Sequence, residues 1–182
     1  MAGKTGTAYM LSKKTGRFTS TSYYMDKHPS WWESYYEKKP QDQWFHKRWN
    51  LLLDDPKAYQ RVLPDGQPWA AVYNNMTSKM GYMYGLGEIK PGPIYYSMLI
   101  AGPFGDEATA EFSTSLLKGE SIGKNPKGAT DILTVSFSSH DYINHNFGPE
   151  SIQSMDHLIR LDRTLAKFFT AIDAQVGRDN VL

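Results

Sequence analysis

Asp141 and His145 stand four residues apart inside residues 138–149, the stretch of this 182-residue sequence richest in side chains that can ligate or transfer protons. One helical turn between them would aim both side chains at one point. A carboxylate oxygen and a neutral imidazole nitrogen form a normal partial zinc shell, but a catalytic zinc usually takes three protein ligands and keeps one position open. The pair is therefore an incomplete site, and at least one further ligand has to come from elsewhere. The plainer alternative for D-x-x-x-H is an Asp that caps the following turn and a His hydrogen-bonded nearby. His140 would point away from Asp141 on an extended backbone, which suits a structural role. His157 reads as a surface or packing residue of a later helix, and His28 and His46 as surface histidines. Asn144 and Asn146 would serve the turn.

The elements that must position this segment are regular. Residues 132–137, Ile-Leu-Thr-Val-Ser-Phe, are mostly apolar and β-branched, as for a strand buried on both faces of a parallel sheet. Pro149 fits the first turn of a long helix ending near Gly177. Its stripe is Ile152, Met155, Ile159, Leu161 or Asp162, Leu165, Phe168, Ile172 and Val176. Upstream, Asp106 and Glu107 open a helix with Ala108, Phe112 and Leu116 on one face, its acids suited to the N-terminal dipole. Asn125-Pro126-Lys127-Gly128 is a turn. Helix, strand, loop and helix, with a new strand beginning at Val181, spell an α/β sheet. In open α/β sheets ligands bind beyond the carboxyl ends of strands, where residues 138–149 fall.

The first half is less regular. Residues 7–24 read as a hairpin turning at Lys13-Lys14-Thr15-Gly16-Arg17. A short helix then follows Pro29, with Trp31, Trp32, Tyr35 and Tyr36 as an aromatic face. From Pro40 to about Pro103 no period holds, and such a stretch in a compact domain usually caps something or carries function. Composition narrows the class. The 20 Lys+Arg nearly balance 19 Asp+Glu, a net charge of +1 without the basic stripe of a duplex binder. No cysteine is present, which excludes thiol catalysis and Cys-ligated zinc. No apolar run reaches the roughly 20 residues of a membrane span. Met1-Ala2-Gly3-Lys4 lead into a polar stretch without the apolar core of a secretory signal.

Residues 131–149 resemble the alkaline phosphatase superfamily, in its branch of phosphate-irrepressible alkaline phosphatases grouped with type I phosphodiesterases and nucleotide pyrophosphatases. That branch has a buried strand, then S-x-x-D-x-x-G-H-x-x-G-P, then a helix with L-R-L-D-R, which here is Leu158-Ile159-Arg160-Leu161-Asp162-Arg163. The match extends upstream through Gly3-Lys4-Thr5-Gly6, Lys14-Thr15-Gly16-Arg17-Phe18, Ser22-Tyr23-Tyr24-Met25 and Pro103-Phe104-Gly105-Asp106. Asn144 departs from the family's Gly before the histidine; Asn tolerates left-handed backbone, so the turn can survive the change.

The resemblance implies that Asp141 and His145 ligate one zinc of a two-zinc site that hydrolyses small phosphate esters through a covalent phospho-enzyme. The family's nucleophile, its phosphate-holding Asn and K-x-R element, and its later D-H-G motif find no match here, so the chain reads as an internal fragment, inactive by itself. The expected fold is part of an alkaline-phosphatase-like α/β sandwich core over residues 101–182, plus a loop-rich, aromatic α+β cap over residues 1–100. The parent would be periplasmic or secreted. Its oligomeric state stays open. The near alternative is a phosphodiesterase or nucleotide pyrophosphatase; phosphonoacetate hydrolase and sulfatase fit the upstream match less well. A different class of reading is a non-catalytic module with Trp31, Trp32, Trp44 and Trp49 as a glycan- or partner-binding face. A sheet fragment is also expected to be marginally stable and prone to associate.

Overall fold

The computed structural model describes residues 6–70 and 89–182. Gly3, Lys4 and Thr5 of the upstream match, and residues 71–88 of the loop-rich region, lie outside the described residues. The elements run β1 (Met10–Leu11), β2 (Phe18–Thr19), α1 (Ser30–Glu37), α2 (Pro93–Ile100), α3 (Pro103–Gly119), α4 (Ser139–Phe147) and α5 (Ile152–Val176). Single 3-10 turns sit at Pro40–Asp42, Pro56–Tyr59 and Arg178–Asn180.

β1 and β2 form the expected hairpin, antiparallel, with Met10 opposite Thr19 and Leu11 opposite Phe18. Its turn needs glycine at position 16, where φ is +67° and the Tyr96 ring lies where a β-carbon would go. Pro29 stands just before α1 rather than within its first turn. Trp32 and Tyr36, one turn apart, are buried and hold the hairpin: Trp32 Nε1–H donates to the Phe18 carbonyl at 2.6 Å, and Tyr36 Oη accepts the Phe18 N–H at 2.6 Å. Phe112 of α3 stacks on Phe18 at 4.5 Å between ring centres, and Tyr9, Trp31 and Tyr35 surround it.

α3 is the hub, packed against α1, α2, α4 and α5. It begins at Pro103, three residues before the expected start, because Pro at the first position has no N–H to leave unpaired. Ala108 and Phe112 are buried as expected, Leu116 packs half-buried against the cluster around Phe112, and Leu117 is buried as well. α2 was not foreseen: Pro93-Ile94-Tyr95-Tyr96-Ser97-Met98-Leu99-Ile100 is apolar nearly all round and so has no period. It supplies Tyr95, Tyr96, Met98 and Leu99 to a core with Trp44, Trp49, Phe104, Ile143 and Phe147. Trp32, Trp44 and Trp49 are thus core residues and Trp31 is half-buried, so these four do not present the exposed face of the alternative reading.

α5 starts at Ile152, not Pro149. Ser151 caps it, its Oγ accepting the Ser154 N–H at 3.1 Å. The residues before the cap bond sideways instead: Leu63 donates to the Glu150 carbonyl at 2.7 Å and accepts the Ile152 N–H at 3.1 Å. The stripe read from the sequence is present but half-buried through Ile152, Met155 and Ile159. The deepest face of the first two turns is polar: Gln153, Ser154, Asp156 and His157. Asp156 is fully buried, and its two oxygens accept four donors. Trp49 Nε1 (2.6 Å) and Arg160 Nε (2.7 Å) reach Oδ2; the Leu52 N–H (2.7 Å) and Tyr59 Oη (2.6 Å) reach Oδ1. Burial, and then the bond to Asp156, raises the Tyr59 pKa and keeps the phenol a donor. This one carboxylate ties the irregular 49–59 segment to α5.

Residues 132–137 do not form the strand expected to be buried on both faces, nor do their neighbours in 131–138. They carry no regular secondary structure; Leu133, Val135 and Phe137 are half-buried, Ile132, Thr134 and Ser136 are exposed, and the segment pairs with no strand among the described residues. A ladder needs a second extended chain alongside. Here the inward side rests on α5, through Phe137 against Phe168 at 6.1 Å.

Two measurements follow. Asp156→Ala leaves the Trp49, Tyr59 and Leu52 donors and the Arg160 guanidinium without their acceptor, and is expected to cost about 3–5 kcal/mol in denaturant unfolding; a loss below about 1 kcal/mol would show that these bonds are not what holds the segment. The open edge at 131–138, with Ile132 85% exposed, is expected to drive concentration-dependent association that Ile132→Lys reduces in sedimentation. Equal association by both proteins would place the contact elsewhere.

Candidate metal centre

α4 turns the segment read as a loop into two and a half helical turns. It ends at Gly148, whose φ of +86° and N–H bond to the Asn144 carbonyl at 2.9 Å stop the helix. Asn144 lies inside the helix and not in a left-handed turn, so its place before His145 needs no special backbone. Asp141 sits in the first turn and His145 in the last, the ends where the helix dipole favours an acid and an imidazolium respectively.

Asp141 and His145 come together. Asp141 Oδ1 and His145 Nε2 are 3.7 Å apart, and both side chains are about three-quarters exposed. Two ligands at about 2.0–2.1 Å from a tetrahedral zinc stand about 3.3 Å from each other, so a small side-chain adjustment lets one ion reach both. An anionic oxygen and an imidazole nitrogen in that relation fit half a zinc shell. No group of three or more His, Asp or Glu side chains able to hold a metal occurs among the described residues.

Behind this exposed pair lies a buried polar array that the sequence did not signal. Asp106 and His157 are 2% and 0% exposed, and His157 Nε2 meets Asp106 Oδ2 at 3.0 Å. The other oxygen, Oδ1, accepts the backbone N–H of Ser139, the first residue of α4, at 3.1 Å. His157 Nδ1 faces His140 Nδ1 at 3.2 Å, with the two rings nearly parallel and 5.3 Å apart. Of the two settings expected for His157, surface or packing, the structure gives the second: it is fully buried and hydrogen-bonded at the α3–α4–α5 junction. His140 has the structural setting expected of it. Burial first, and then the neighbouring His157, lowers its pKa and favours the neutral ring. Gly105 permits the junction, since a β-carbon there would stand 2.5 Å from Ser139 Oγ and 2.9 Å from the Ile100 α-carbon.

The other histidines lie apart. His28 stacks on Trp32 at 4.0 Å, and His46 is exposed. A groove of about 670 Å³ between α3 and α5 has Glu107, Glu111, Arg160, Arg163 and Lys167 on its walls but neither Asp141 nor His145. Its mixed charges suit contact between helices more than the binding of one anion. No helix among the described residues is long and apolar enough to cross a membrane.

Known proteins resemble this chain in sequence and in fold. The chain is 32% identical over 176 residues to the alkaline phosphatase PhoV of Synechococcus elongatus, an alignment that covers 96% of this chain and 31% of that protein. It is 32% identical over 178 residues to the alkaline phosphatase PafA of Elizabethkingia meningoseptica, again 96% of this chain and 31% of the other. The crystal structure of wild-type PafA superposes with a TM-score of 0.81 at 29% identity, over 96% of this chain and 34% of that one. The chain thus has the fold of the corresponding part of PafA and spans about a third of the length of these relatives. The family model described as type I phosphodiesterase / nucleotide pyrophosphatase matches residues 2–182, and the chain belongs to that family.

Proposed function

We propose that Asp141 and His145 ligate one zinc ion of a phosphoric ester hydrolase, an alkaline phosphatase acting on small phosphate monoesters. The observation that carries this is the pair itself: a carboxylate and an imidazole 3.7 Å apart on one exposed face of α4, in a chain of this family. The names of two relatives, both alkaline phosphatases, favour the monoesterase; the family's own description keeps phosphodiesterase or nucleotide pyrophosphatase as the second reading.

When bound in a two-metal site, zinc acts as a Lewis acid on the attacking and leaving oxygens of an in-line displacement. Asp141 contributes a negative oxygen to that site. His145 contributes Nε2 and can do so only as the neutral imidazole, so zinc binding weakens in acid. The remaining ligands, the nucleophile that forms the covalent phospho-enzyme and the groups that hold the phosphate belong to other parts of the parent. We infer that residues 101–182 form part of an α/β sandwich, with residues 131–138 as one of its strands. Their alternation of half-buried and exposed side chains, with no strand paired to them among the described residues, supports this. Residues 1–100 would be a cap over the cleft. By the same kinship the parent is periplasmic or secreted.

Zinc titration followed by the histidine ring signals of the 182-residue chain is expected to move His145 first, and Asp141→Asn or His145→Gln to remove that response. Zinc that moves His28 or His46 and leaves His145 untouched would overturn the assignment. The chain alone is expected not to hydrolyse an aryl phosphate in the presence of zinc, because two ligands without a nucleophile cannot assemble the transition state. Turnover that survives in this chain and vanishes in Asp141→Ala would show that the missing groups lie within it.

A further inference from the structure

The first two residues of α4 are held by side chains from two other helices, whereas Asp141 and His145, one residue and one turn further on, touch the protein only through each other in the bonds described above. Ser138, at the N-cap, makes no side-chain capping bond. The free N–H of Ser139 is met instead by Asp106 of α3, which places a carboxylate at the positive end of α4. An ionised carboxylate only accepts, so the 3.0 Å contact makes His157 Nε2 a donor. His157 Nδ1 is then left to face His140 Nδ1, and its ring lies against the His140 ring with an interplanar angle of 22°. The bond at Ser139 fixes how far α4 is advanced along its axis. The stack at His140 fixes its rotation, which changes by about 100° per residue.

We propose that Asp106 and His157 are positioning residues for the candidate zinc ligands, locking the advance and rotation of α4 so that Asp141 and His145 face the metal. The proposal rests on the assignment of the pair as zinc ligands. Asp106 is suited to this because both its oxygens are used, one for each partner. Asparagine has the same shape but a single acceptor oxygen, and its NH₂ group cannot accept from either partner. Asp106→Asn can therefore keep both contacts only if His157 reverses its tautomer and accepts the amide N–H at Nε2; otherwise the Ser139 bond or the His157 bond is lost. A group hydrogen-bonded directly to a metal ligand typically tunes affinity by about 10–100-fold; Asp106 acts on the ligands only through the backbone of α4, so the lower end of that range sets the expected effect.

The test is zinc titration of the ¹⁵N-labelled 182-residue chain, reading the His145 ring, the protonation of His157 Nε2 from its nitrogen shift, and the exchange rate of the Ser139 amide. In the unsubstituted chain His157 Nε2 is expected to carry its proton and the Ser139 amide to exchange slowly. Asp106→Asn is expected to weaken zinc binding at His145 about tenfold or more. It should also either speed Ser139 exchange or reverse the His157 tautomer, while amides of α5 beyond Phe168 stay protected. Unchanged zinc affinity in a folded Asp106→Asn protein would overturn the proposal. If that variant does not fold, His140→Ala is read in its place: it removes the stack and keeps the Asp106–Ser139 bond, and an unchanged affinity there would overturn the proposal equally. Zinc binding that ignores His145→Gln would instead sink the ligand assignment. Ser139 exchange would then decide positioning alone, with exchange unchanged in Asp106→Asn counting against it.

Discussion

Two adjacent side chains near the start of α5, Asp156 and His157, are fully buried and serve different neighbours. Asp156 collects Trp49, Leu52, Tyr59 and Arg160, and so binds the irregular segment on one side. His157 reaches Asp106 of α3 and His140 of α4 on the other. Buried polar groups of this kind are costly unless every partner is present, which makes the arrangement sensitive to geometry in a way that apolar packing is not. Neighbouring residues on a helix point about 100° apart, so one turn of α5 can govern two separate attachments. The rest of the structure depends on that turn being in register with both.

Apolar packing supplies the bulk of the attraction and leaves positions less sharply defined. Tyr95, Leu99 and Phe104 fill the space beneath α4, and Ile143 and Phe147 bury its inner face against them. That contact explains why α4 is where it is, but a helix can roll on such a surface with little change in buried area. The Asp106–Ser139 bond and the His140–His157 stack remove the freedom to roll. Asp141 and His145, on the outer face, then converge without needing bonds of their own to the scaffold.

The sequence disclosed the parts whose signals are local. The hairpin followed from β-branched runs around Gly16, and α1, α3 and α5 from apolar residues three and four apart. The convergence of Asp141 and His145 followed from their spacing. α2 escaped because an apolar stretch without polar punctuation carries no period. The apolar, β-branched run at 132–137 reads as a doubly buried strand, yet burial depends on neighbours that composition does not describe. The partners of His157 are hidden for a related reason. Asp106 is 51 residues away in the chain, and a side chain whose partners are that distant looks the same in sequence as one facing water. Its helical phase, on the buried side of α5 beside Ser154, signals burial but not which residues it meets.

The most direct measurement is anomalous diffraction at the zinc edge from crystals of the protein grown or soaked with zinc. The account predicts a peak between Asp141 Oδ1 and His145 Nε2, about 2.0–2.2 Å from each, with the Asp106–His157 and His140–His157 contacts retained. A zinc peak at other histidines, with none between these two atoms, would contradict it.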